Sequence, residues 1–132
     1  MNMISSSNLL RRALLADAVI SGAAALLLLA GAGMLTELLG LPVPLMRYAG
    51  LLLVPFVALV AFVGTRADIP RGAAWAIVAI NVAWVAGSLL LLISGWVAPT
   101  LPGYVFVIAQ AAAVGIFAEL QWIGLRQMTA TA

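Results

Sequence analysis

The sequence has no cysteine and no histidine, and all six of its basic residues are arginines, so it has no lysine either. These absences exclude disulfide exchange, thiolate and imidazole metal sites, histidine-ligated haem and Schiff-base chemistry. Charge of either sign is scarce: charged residues make up 8% of the chain and the formal net charge is +2. Six scattered arginines cannot build a nucleic-acid surface, so no nucleic-acid partner is expected. No nucleophile–base set is present and no ligand cluster, which predicts a non-enzymatic protein with no cofactor and no metal.

Apolar sequence fills the space. Hydrophobic residues are 66% of 132, with a mean hydropathy of +1.23. A soluble domain of this size keeps a polar shell that this chain cannot supply, so the bilayer has to act as its solvent. The runs are rich in Leu, Ala and Val without the alternation of barrel strands, so the backbone must satisfy itself as helices. Four spans follow, at about 13–34, 45–63, 73–93 and 104–125, each near the ~20 residues a crossing helix needs. The expectation is one all-α domain over 1–132, a four-transmembrane-helix bundle.

Between the spans the punctuation is local. Ser5, Ser6, Ser7 and Asn8 offer N-caps ahead of the first run. That run is too long for a signal-peptide core and carries Asp17, so it reads as a retained span. Thr36 and Glu37 begin a short interfacial turn ended by Gly40, Pro42 and Pro44. Pro55 should kink the second span near Leu51 and Leu52. The tail after Arg126 reads as frayed.

Arginine placement sets orientation. Arg11 and Arg12, then Arg66 and Arg71, then Arg126 fall on one side, and the positive-inside rule puts that side, with both termini, in the cytoplasm of a bacterial inner membrane. Arg47 lies about 28 Å of helix from Arg66, at the opposite headgroup level and within reach of Glu37. Tyr48, Trp75, Trp96, Tyr104 and Trp122 lie near span ends, as an interfacial belt does.

The polar residues inside the spans are the candidate site. Asp17 sits about 8 Å along its helix from Arg12, and Glu119 about 10 Å from Arg126. Their depths match. If the first and last spans are neighbours, the two acids can meet and share a proton, since two carboxylates in low dielectric do not both stay ionised. The other reading pairs each acid with the arginine at its own helix end. Asn81 is deeper, with Trp84 and Ser88 on its face, and serves either such a site or helix–helix adhesion. Ser21, Ser88 and Gln110 are secondary polar positions. Gln110 and Glu119 are half a turn out of phase and must face different neighbours. Small residues at four-residue spacing, Ala18 and Gly22, Ala79, Ala83 and Gly87, and Ala111 and Gly115, predict close helix crossings.

A weak internal repeat is also legible. DAVISGAAALLLLAG from Asp17 resembles NVAWVAGSLLLLISG from Asn81 at an offset of about 64 residues, which would make two parallel repeats.

RRALLADAVISG, LLGLPVPLMRYAGLLLVPF, AINVAWV and FAELQWIGLR together resemble small four-helix bacterial inner-membrane proteins of no assigned activity. The resemblance implies location and architecture, and carries over no functional residue. Small multidrug-resistance transporters hold a glutamate in their first helix where Asp17 is the nearest equivalent, but their aromatic and glycine motifs are missing. The glycine-rich start and phenylalanine box of fluoride channels are missing as well. The expected function is therefore helix association or lipid binding, as an accessory subunit, a homo-oligomer or part of a larger membrane complex, with membrane lipids as partners. The alternative is a proton-coupled transporter or channel using the Asp17–Glu119 pair.

Overall fold

A computed structural model describes the backbone of residues 2–131 and the side chains of residues 8–128. Among the described residues every regular element is helical: α1 (Asn2–Ala30), α2 (Ala32–Leu39), α3 (Val43–Thr65), α4 (Arg71–Ser94) and α5 (Leu101–Thr131). Four of these are long and apolar enough to cross a bilayer, over Asn8–Ala30, Val43–Thr65, Arg71–Ser94 and Leu101–Met128. Their outer faces carry Val19, Leu26, Leu52, Phe62, Leu90 and Ile116, all exposed. Such a surface suits hydrocarbon as solvent, and the four helices suggest a membrane-spanning protein.

Element boundaries differ from the expected ones for identifiable reasons. The first span was expected to reach Met34, but the backbone turns at Gly31 and restarts as α2, an eight-residue helix. Gly40 then ends α2 in the left-handed conformation (φ 69°), which glycine adopts without a Cβ penalty. Pro44 does not end this turn; it lies in the first turn of α3, where its missing N–H costs nothing. α3 runs unbroken through Pro55. α1 starts at Asn2, so Ser5, Ser6, Ser7 and Asn8 are within the helix rather than capping it, and the side chains of the three serines lie outside the described residues. A side-chain cap forms at α5, where Thr100 Oγ1 accepts from the Gly103 N–H at 3.2 Å. The expected frayed tail is helical to Thr131.

The long helices form a ring in the order α3, α1, α5, α4. α1 packs along both α3 and α5, and α5 packs along α4, while α3 and α4 barely touch. α1 and α4 therefore face each other diagonally. Each buried face recurs in steps of three or four residues, or their sum. On α5 it is Val107, Ala111, Ala118, Gln121 and Leu125; on α1 it is Leu10, Leu14, Asp17, Ser21, Ala25 and Leu28. One apolar cluster joins Leu10, Leu14, Val63, Ala74 and Leu125 at the arginine-rich end. The other joins Leu28, Leu39, Met46 and Val107 at the far end.

Close approach happens at glycines other than those expected. Gly87 faces open space, as do the exposed Ala79 and Ala83, so that stripe of α4 touches no helix of the bundle. Gly22 and Gly115 do face neighbours, Val57 and Val85, but at 3.7 and 3.9 Å from an added Cβ, which is ordinary contact. Among the tight positions are Gly103, whose Cβ would collide with the Leu39 carbonyl, and Gly124, whose Cβ would meet the Leu10 backbone at 3.1 Å. Both fasten α5, one at each end of the bundle.

Arg11 has a specific structural role beyond its charge. Its guanidinium donates to the carbonyls of Gly64 and Arg66 at 2.7 Å and of Ala67 at 3.2 Å. It thereby caps the C-terminus of α3, where a cation also meets the negative end of the helix dipole. Arg66 and Arg126 lie over the rings of Phe62 and Trp122 at 5.0 and 4.7 Å.

Candidate functional site

The three–four register on α1, α4 and α5 carries polar residues at one level, and they converge. Asp17 and Gln121 are 0% exposed and Asn81 is 2%, so every polar atom there needs a partner. Ser21 Oγ donates to Asp17 Oδ1 at 2.8 Å. Asn81 Nδ2 and Gln121 Nε2 both donate to Asp17 Oδ2, at 2.9 and 2.8 Å. Asn81 Nδ2 donates in addition to Gln121 Oε1 at 3.0 Å. One carboxylate is thus held by three neutral donors from three helices, with no arginine near it among the described residues. Burying a carboxylate costs several kcal/mol unless it is fully hydrogen-bonded, and these three bonds supply that compensation.

A second polar layer clasps α4 to α5. Trp84 Nε1 donates to Gln110 Oε1 at 2.8 Å, and Gln110 Nε2 donates to Ser88 Oγ at 2.9 Å and to the Val107 carbonyl at 2.8 Å. Ser88 Oγ closes the loop on the Trp84 carbonyl at 2.7 Å. The indole is therefore fixed in place.

The expected site residues divide accordingly. Asp17, Ser21 and Asn81 come together, and Ser88 and Gln110 form the adjoining layer. Glu119 joins neither. It is exposed, in an apolar groove between α4 and α5 beside Val82, Ala86, Gly115 and Trp122. Asp17 and Glu119 match in depth but not in direction, because Gln121, two residues on and about 200° around the helix, occupies the face toward Asp17. Pairing with arginine fails as well: Arg12 is exposed, Asp17 is enclosed among Ser21, Asn81 and Gln121, and among the described residues Arg47 forms no ion pair with Glu37. Gln121 is the member that the sequence reading missed. It lies eleven residues from Gln110, about 20° away around the helix, so the two amides share a face.

Where α3 and α4 part, a cleft of about 390 Å³ runs inward to this network. Its rim is Leu52, Pro55 and Ile80, all exposed; Phe56, Leu59, Trp84 and Val114 line it, and Ser21 and Asn81 stand at its inner end. The volume falls within the range of small-molecule sites, and the lining has their usual character, apolar with a few convergent polar groups. Among the described residues, no group of three or more carboxylates could hold a metal ion.

Comparison with known protein families, with curated proteins and with solved structures finds no match.

Proposed function

We propose that the chain is a non-enzymatic integral membrane protein that binds an apolar molecule entering the α3–α4 cleft sideways from the lipid phase. The observation that carries this reading is the cleft itself: an apolar-walled opening on the lipid-facing side, ending on ordered polar groups. Of helix association and lipid binding, the cleft favours the second. A proton-coupled pathway through a carboxylate pair loses its basis, since Glu119 points away from Asp17.

The test uses the tryptophan in the cleft. With Trp75, Trp96 and Trp122 replaced by phenylalanine, Trp84 is the sole emitter, and lipids brominated along the acyl chain should quench it in liposomes. Val114→Phe narrows the cleft and should relieve most of that quenching. Equal quenching with and without Val114→Phe would mean that no lipid-phase molecule enters there.

The proposal includes an orientation, with the end bearing Arg11, Arg12, Arg66, Arg71 and Arg126 in the cytoplasm of a bacterial inner membrane. A cysteine introduced at Trp96 should then react with an impermeant maleimide added to intact cells, while one at Gln127 should not. The reverse pattern overturns the orientation.

A further inference from the structure

We infer that the molecule bound in the cleft carries a hydrogen-bond donor, a hydroxyl or N–H group at the end of an apolar body, and that this donor is received by Asn81 Oδ1. The inference rests on the cleft reading above and adds the chemistry of its inner end.

Both hydrogens of the Asn81 amide are committed, one to Asp17 and one to Gln121. Turning the amide over would bring its oxygen against Asp17 Oδ2 and Gln121 Oε1, three acceptors facing one another, so the network fixes its orientation. Asn81 Oδ1 is left over. It accepts no hydrogen bond from the described residues, yet among those residues no fully buried side-chain oxygen or nitrogen is without a partner. The oxygen therefore keeps accessible surface, and the open space that Asn81 lines is the cleft. Its neighbour there, Ser21 Oγ, has given its hydrogen to Asp17 and also presents lone pairs. The inner end of the cleft offers acceptors alone. A ligand with a donor completes it, whereas an ether or a hydrocarbon would leave a buried acceptor unmet.

Competition against the brominated lipid separates the possibilities. Decanol and methyl nonyl ether have the same number of heavy atoms and both keep an oxygen, but only the alcohol donates. In the protein with Trp84 as sole emitter, decanol should displace the quencher about two- to tenfold more effectively than the ether, as one net hydrogen bond allows. Asn81→Leu, where it folds, should bring the two to parity. If alcohol and ether compete equally in the protein with Asn81 intact while Val114→Phe still relieves quenching, the cleft binds its ligand without this donor and the inference falls alone. If neither competes and Val114→Phe changes nothing, the cleft reading falls with it.

Discussion

Asp17→Leu is expected to abolish the folded bundle, and Asp17→Asn is expected to preserve it. Leucine fills the space but strands the Ser21 hydroxyl and the Asn81 and Gln121 amides, all of which donate to this carboxylate. Each stranded donor costs about 1–3 kcal/mol, and the sum is comparable with the about 5–15 kcal/mol that keeps a typical protein folded. Asparagine can keep all three contacts. Its oxygen receives both amides, and its NH₂ faces Ser21, whose hydroxyl turns from donor to acceptor. The cost should be about 1 kcal/mol or less. Thermal melting followed by circular dichroism in detergent, with the yield of monodisperse protein, reads both outcomes. A leucine variant that melts with the wild type would show that these bonds do not hold the helices together.

The second large effect is at Gly103. An alanine there drives its Cβ into the Leu39 carbonyl, which already accepts the Thr100 N–H at 3.0 Å and sits beside the Leu38 carbonyl bonded to Thr100 Oγ1 at 2.6 Å. A backbone carbonyl held on this scale has little freedom to yield, so Gly103→Ala should cost about 1–3 kcal/mol or more. Gly87→Ala should have the opposite sign. Its Cβ meets nothing, and alanine in a helix is favoured over glycine by about 0.5–1 kcal/mol. Melting temperatures that fall for the first and hold or rise for the second would confirm which glycine marks a helix contact. Equal losses at both would mean that Gly87 is covered by something in the folded protein.

These two residues also show what could be read from the chain. Span number, helical class and the depth of each polar residue follow from one-dimensional properties, run length and distance from the nearest arginine, and those are plain in the sequence. Direction around the helix is the harder quantity. Asp17 and Glu119 were matched in depth, yet the residue that reaches Asp17 from α5 is Gln121, about 200° from Glu119 around the helix. The register Val107, Ala111, Ala118, Leu125 contains Gln121 and omits Glu119, so the face was present in the pattern. Small-residue spacing misled for a similar reason. Alanine-rich helices repeat it on every face, and a glycine is needed only where a backbone comes close, as Leu39 does to Gly103 and Leu10 to Gly124. The break at Gly31 left no sign either, since the residues on both sides of it are as apolar as the span.

The diagonal placement of α1 and α4 has a consequence for how such a centre can exist at all. Two identical halves meeting on a twofold axis would bring the same residue to the centre twice, either two carboxylates competing for one proton or two amides with no carboxylate between them. A single chain is free of that constraint. Across the diagonal it places an acceptor, Asp17, against a donor, Asn81, joined at 2.9 Å. It also closes one flank, α1 against α5, and leaves another, α3 against α4, ajar. Unlike helices on opposite sides thus give this bundle a lopsided interior, sealed along one flank and open along the other.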